Sequence, residues 1–289
     1  MPEEIRKITP ENRNFPQSLK GIKQAPRVLY YKGDIKPDEL CFAIVGARKY
    51  SSYGKQAAME IAGDLAEAGL TLVSGLAPGI DTFVHQEAVQ RKKRTIAVLG
   101  TGIDEKSIYP SSNIGLARKI LATGGCLLSE YPIGTSGTRF TFPQRNRIIS
   151  GLSSGVLVVE AKQKSGALIT ARWAESQKIK IFAVPGPVYS SNSKGCHYLI
   201  KKGAKLVENA DDILKELNLP ILSPDIKNIA GETEEENLIL NALKEGSLYI
   251  DKIIEKTKLK AADTASTLAI LEIKGKVRNL GGNIYSLMR

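Results

Sequence analysis

The chain has 289 residues, with 41 Lys and Arg against 30 Asp and Glu, a formal net charge of +11. A quarter charged (25%) and 42% hydrophobic, it has an ordinary globular composition, which excludes a disordered or fibrous protein. Three cysteines (Cys41, Cys126, Cys196) are too few and too odd for a disulfide scaffold, no apolar run reaches the roughly 18 residues of a membrane span, and MPEEIRKITPENR lacks the apolar core of a secretory signal, so the reading is a cytoplasmic protein with no membrane association.

Residues 1–39 read as a lead-in. Phe15-Pro16, Pro26 and Val28–Tyr31 indicate an extended segment that ends in a short edge strand. From about Leu40 apolar runs alternate with amphipathic stretches. The runs are Cys41–Val45, Leu70–Ser74, Thr95–Leu99, Cys126–Ser129, Val156–Val159, Ile181–Val184 and Ala204–Val207. Several are continuous, as strands buried on both faces of a parallel sheet require. Lys55–Glu67, Thr82–Arg91, Ile114–Leu121, Leu168–Gln177 and Tyr198–Lys202 read as the helices between them. The spacing predicts an α/β fold with a doubly wound, mostly parallel sheet over 40–219.

A Pro-rich and then acidic stretch, 220–232, reads as a linker. Beyond it, 233–289 shows three helices (Glu234–Leu243, Tyr249–Lys256, Ala261–Lys274) and two strands around Gly281-Gly282, the pattern of a small C-terminal winged-helix domain. Residues 231–289 carry 9 Lys and Arg and 9 Asp and Glu, so the whole basic excess lies before residue 231. The would-be recognition helix opens Ala-Ala-Asp-Thr-Ala-Ser-Thr and offers no cation, although Lys258 and Lys260 precede it.

The basic excess fits a polyanionic partner or a merely solvated surface. Strand exits decide where to look, because doubly wound sheets bind ligands there. Gly46 and Arg48 follow the first core strand, a close backbone approach beside a phosphate fork. Asp81 follows Ser74-Gly75-Leu76-Ala77-Pro78-Gly79-Ile80 and reads as a helix N-cap. Ser165 reads as another, its helix end suited to an anion. The strongest local signal is Arg139-Phe140-Thr141-Phe142-Pro143-Gln144-Arg145-Asn146-Arg147. Pro143 suits a first helical position, which puts Arg145 and Arg147 in an opening turn that disfavours cations unless an anion is bound. Arginines among exposed aromatics match a single-strand nucleic-acid site; a solvated basic turn with Phe140 or Phe142 in the core is the alternative.

No G-x-G-x-x-G with a following acid and no G-x-x-x-x-G-K-[ST] is present, so dinucleotide and ATP sites lack support and no cofactor is expected. Gly151-Leu152-Ser153-Ser154-Gly155 matches G-x-S-x-G but precedes a strand, where a nucleophile elbow follows one. His85 and His197 stand far apart, which argues against a metal site and for structural roles.

In series, these stretches resemble the DNA-processing protein A family (DprA, also called Smf). The resemblance runs through Val45-Gly46-Ala47-Arg48, Ser74-Gly75-Leu76-Ala77, Gly79-Ile80-Asp81, His85, Tyr109-Pro110, Ser129-Glu130-Tyr131-Pro132, Phe142–Ser153, Ser165–Ala171 and Pro185-Gly186, covering roughly residues 10–215. It implies an extended Rossmann fold, non-specific single-stranded DNA binding, homodimerisation, no catalytic activity, and loading of RecA recombinase onto incoming DNA in natural transformation. The implied DNA contacts are Gly46, Arg48, Phe142, Arg145, Asn146, Arg147, Lys164, Ser165, Gly166 and Thr170, to which the local chemistry adds Arg139. Many members carry a further helical domain before the Rossmann core, whereas Cys41 opens the first core strand here, and Gly195-Cys196-His197-Tyr198 stands where many have Gly-Thr-Asn. The competing readings are a nucleotide-handling Rossmann enzyme related to phosphoribohydrolases, against which Pro185-Gly186-Pro187 lacks a following Gly-Thr and Glu, and a protein-interaction scaffold.

Overall fold

Nine strands among the described residues, 4–221 and 231–287 of a computed structural model, share one sheet. They are β1 (Arg6–Ile8), β2 (Leu29–Gly33), β3 (Cys41–Val45), β4 (Thr71–Ser74), β5 (Thr95–Leu99), β6 (Cys126–Ser129), β7 (Gly155–Val158), β8 (Lys180–Ala183) and β9 (Lys205–Leu206). Their order is β1-β2-β6-β5-β4-β3-β7-β8-β9. The seven strands from β6 to β9 are parallel, while β1 and β2 run antiparallel at one edge. Val28–Tyr31 was expected at the edge. It lies one strand in, because Arg6–Ile8 pairs with it from outside. The lead-in is thus part of the sheet.

Alternation sets the two faces. Cys41, Ala43 and Val45 join one core and Phe42 and Ile44 the other. Both faces are apolar, so both need helices. α1 (Gln17–Lys20), α5 (Thr141–Gly151), α6 (Gly166–Ser176) and α7 (Lys194–Lys201) cover the first. α2 (Ser52–Glu67), α3 (Ile80–Gln90), α4 (Ile114–Ala122) and α8 (Ala210–Glu216) cover the second. The chain builds β3 to β6 outward on one side, then returns to lay β7 to β9 on the other. The switch point therefore lies between the carboxyl ends of β3 and β7, where a crevice opens.

The three thiols are all buried, and burial pushes that of Cys41 up and that of Cys196 up to about 12. They are packing residues with little nucleophilic character.

Contacts divide the chain into two units, and the second is a winged helix by its own elements. α9 (Glu234–Ala242), α10 (Ile250–Thr257) and α11 (Ala261–Ile273) close over Ile239, Leu240, Ile253, Leu268 and Leu271. β11 (Val277–Gly281) and β12 (Ile284–Leu287) form the wing, joined by Gly282 and Asn283, both at positive φ as a type I′ turn demands. A short strand unforeseen in the sequence, β10 (Leu248–Tyr249), pairs with β12. Lys274 bonds both Glu232 (2.9 Å) and Glu236 (2.7 Å) and ties α9 to the end of α11. Most of the stretch 220–232, expected as a linker, lies outside the described residues.

Gly155 starts β7 between two rings. A Cβ there would meet Phe42 at 2.6 Å and Phe182 at 2.7 Å, and those rings already pack at 5.6 Å between centroids. Gly155→Ala is expected to lower unfolding stability by about 1–3 kcal/mol through overpacking, read by denaturant unfolding.

Candidate nucleic-acid interface

The basic turn folds differently from its sequence reading. Thr141 opens α5, and Pro143 is its third residue. Thr138 organises the entry: its Oγ1 accepts from the N–H groups of Phe140 and Thr141, both at 3.2 Å. Arg145 and Arg147 were expected to await an anion in the first turn. They are instead 4% and 3% exposed, and their charges are met inside the fold.

Arg145 Nη1 donates to the carbonyls of Gly75 (2.8 Å) and Val98, and Nε donates to Asn146 Oδ1 at 3.1 Å. Burial pushes its guanidinium down to about 10, against the opposing pull of Asp81, so it stays charged at neutral pH. Arg147 Nη2 donates to both oxygens of Glu130, at 2.6 and 2.7 Å. Its Nε and Nη1 are buried without a protein partner, and it is not among the residues that line the crevice. Arg147 is therefore a framework residue of α5.

Asp81 is not the helix N-cap. That position is Gly79, at φ 88°, where a side chain would strike the carbonyls of Ala47 and Arg48. With no capping side chain there, the Ile80 N–H bonds Ala47 O at 3.2 Å. Asp81 instead reaches back to accept from Gly75 N at 3.0 Å. Burial raises its carboxyl, while Arg145 and the loop hydrogen bonds pull the other way. Gly75 makes this possible: a Cβ would sit 2.5 Å from Arg145 Nη2 and 2.7 Å from Asp81 Oδ2.

Above this buried layer lies a cleft of about 510 Å³. Of the residues assigned to DNA in the sequence, Gly46, Arg48, Arg139, Phe142, Arg145, Asn146, Gly166 and Thr170 line it. Gly46 is needed for packing, since a Cβ would meet Ile80 at 2.7 Å. Phe142 is half-buried, wedged where Gly100 and Gly137 have no side chains, and its ring lies 5.6 Å from that of Tyr109. Arg48 hangs over the Phe142 ring at 5.7 Å, and Arg139 over Phe140 at 4.8 Å. Both arginines are exposed, and among the described residues neither has a carboxylate partner. Phe140 is 69% exposed. Ser165 caps α6 as foreseen, accepting from Ala167 N at 3.2 Å. Asn146 bonds Gly166 O at 3.3 Å and joins α5 to that helix start. Lys164 is exposed beside it, outside the lining, and Thr170 is buried.

Tyr109 and Asp81 belong to the cleft but had no ligand role in the sequence reading. Both stand in the quoted motif stretches, and no local pattern shows that the fold brings them to Phe142 and Arg145. The remaining motifs resolve structurally. Ser153 donates to Ile149 O at 2.9 Å, and His197 Nε2 lies 3.0 Å from Gly186 O. Among the described residues no cluster could hold a metal ion and no helix is long and apolar enough to cross a membrane.

A doubly wound sheet with an arginine- and aromatic-lined cleft at its switch point defines an extended Rossmann-type protein, followed by a winged helix. The family model for DNA recombination-mediator protein A matches residues 6–218, and that for the DprA winged helix domain matches 224–283. The chain belongs to the DNA recombination-mediator protein A family, DprA/Smf. It is 36% identical to Protein Smf of Escherichia coli, over 98% of this chain and 77% of that one. It is 44% identical to the DNA processing protein DprA of Streptococcus pneumoniae, over 70% and 71%. The solved structure of the pneumococcal DprA superposes with a TM-score of 0.68 at 41% identity, covering 74% of each chain. That of the Helicobacter pylori protein, described for its single-stranded DNA binding mode, gives 0.65 at 31%, covering 74% of this chain and 97% of that one.

His85 supplies a pH test of this buried layer. Thr95 Oγ1 donates to Leu72 O at 2.7 Å, so it accepts from His85 Nδ1 at 2.8 Å, which leaves Nε2 bare and unpartnered. Burial, then the charge of Arg145, lowers the imidazole to about 3. The unfolded ring binds a proton near pH 6.5 where the folded one does not. Stability is therefore complete above pH 6.5 and lost as the pH falls towards 3, by up to about 1.4 kcal/mol per pH unit. His85→Gln is expected to flatten the upper part of that decline in urea unfolding across pH. An unchanged profile would remove His85 as its source.

Proposed function

We propose that this protein binds single-stranded DNA without sequence preference in the cleft, as a cytoplasmic homodimer, and loads RecA recombinase onto incoming DNA in natural transformation. The observation that carries the binding is the pair of exposed arginines, Arg48 and Arg139, each held over an aromatic ring at the cleft mouth with no carboxylate partner among the described residues. Guanidinium groups meet phosphates and rings accept bases, a combination that suits any single-strand sequence. Lys164 adds an exposed cation just before the start of α6. Arg145, Asn146 and Arg147 act as positioning residues in this reading, Gly46, Gly166 and Thr170 shape the wall, and Ser165 caps the helix that carries the last two. Membership of a recombination-mediator family supports the mediator role, and the single-strand binding of the Helicobacter pylori relative supports the ligand.

We read the protein as a binder rather than an enzyme. Asp81 is the carboxylate among the described lining residues, and the loop from Gly75 already holds it.

Oligo(dT) binding across salt concentrations tests the cleft. Arg48→Ala is expected to weaken binding and reduce the slope of log affinity on log salt by about 0.7, the value for one phosphate on a single strand. Arg48→Ala/Lys164→Ala should lose about twice that slope. Unchanged affinity and slope in the folded double variant would remove the assignment. Arg145→Ala is expected to act on stability first, by roughly 3–5 kcal/mol, because it strands Asp81 as a buried charge. Stimulated RecA filament formation on strands coated with single-strand-binding protein tests the mediator role separately.

A further inference from the structure

The carboxyl edge of the sheet does not stop being basic and aromatic at the cleft. Beyond Arg48 the chain continues into Lys49, exposed and with no acidic partner among the described residues. Asn192 Nδ2 donates to Lys49 O at 3.0 Å, so the loop after β8 sits directly against it. That loop carries Tyr189, which is 98% exposed. An exposed tyrosine on a mobile loop would mean little, but this loop is pinned. Tyr53 Oη donates to Pro185 O at 2.6 Å, Lys194 Nζ donates to Val188 O at 2.8 Å, and Ser190 N bonds Pro187 O at 3.0 Å. Lys162 and Lys164, both exposed, follow Ala161 after the β7 exit, where Ala161 N bonds Asn192 O of this loop at 2.7 Å.

We propose that the bound strand continues from the cleft across the carboxyl ends of β7 and β8 to Tyr189, whose ring stacks a base while Lys49 and Lys162 meet the intervening phosphates. The inference rests on the single-strand reading of the cleft and extends it to a second subsite. The pairing β3–β7–β8 sets the length. Two strand steps at about 4.8 Å span roughly 10 Å, or about three nucleotides of a stacked strand at 3.4 Å each.

Oligonucleotide length separates the two subsites. Oligo(dT) of about four nucleotides probes the cleft alone, and one of about twelve exceeds the roughly eight needed to reach across the three-nucleotide span to Tyr189. Tyr189→Ala is expected to leave the short probe's affinity unchanged and weaken the long one roughly 5- to 150-fold, the range for one base stack. Lys49→Gln should lower the salt slope for the long probe only. Tyr189→Trp should gain emission that the long probe quenches and the short one does not; Trp173, bonded to Pro143 O at 3.3 Å, provides the wild-type background. Equal affinities of wild type and Tyr189→Ala for the long probe, with Arg48→Ala still weakened, would overturn the second subsite and leave the cleft standing. Equal loss on both probes would overturn it too. Wild type binding neither probe would overturn the cleft reading itself.

Discussion

A buried guanidinium is the constraint on which this site depends. Arg145 stands at the mouths of β4 and β5, where it needs acceptors that water cannot supply, and it takes them from the last turns of the strands themselves, Gly75 O and Val98. That choice fixes the start of α5 over the sheet's carboxyl edge. Phe142, almost one turn earlier, is thereby laid over Gly100, and Asn146, the next residue, is turned towards Gly166. Asp81 supplies the countercharge, and Gly75 supplies the room for the two to face each other. Removing any one of these leaves a buried charge or an unfilled donor, so the group holds together as a unit.

The cations of this chain therefore fall into two kinds that net charge cannot distinguish. Arg145 and Arg147 are neutralised within the fold, by strand carbonyls with Asp81 and by Glu130. Arg48, Arg139, Lys49, Lys162 and Lys164 stand in solvent. Buried cations set geometry, and exposed ones are the groups that the proposed reading assigns to phosphates. The +11 of the chain is informative only after this sorting, and the second unit contributes none of it.

The frame of the first unit is legible in the sequence because a doubly wound sheet leaves a strong mark. β3 to β8 read as apolar runs with boundaries within a residue or two, and the amphipathic stretches between them became α2, α3, α4, α6 and α7. The edge was less legible. β1 is three residues of mixed burial, and its pairing with β2 is a long-range event that no local pattern encodes. Within the site, the residues were legible but their directions were not. Arg145, Asn146 and Arg147 look alike as a basic run, and only the placement of α5 turns one towards the strand ends, one towards α6 and one towards Glu130. The start of α5 was misplaced for a related reason: Pro143 is a good first-turn residue, but Thr138 captures the backbone earlier. Asp81 was misjudged as a cap because its spacing allows that role, and the positive φ of Gly79 decides against it.

The same internal satisfaction bears on selectivity. Reading a base requires donors and acceptors held free in a fixed pattern towards its edge. Three polar residues in the floor of the cleft are already bonded: Asp81 to Gly75, Arg145 to Gly75 O, Val98 O and Asn146, and Asn146 to Gly166. Arginines over rings remain at the rim, and phosphates and ring faces are common to every sequence. On the proposed single-strand reading, indifference to sequence follows from the device that builds the floor, because groups spent on holding α5 in place are not free to read a base.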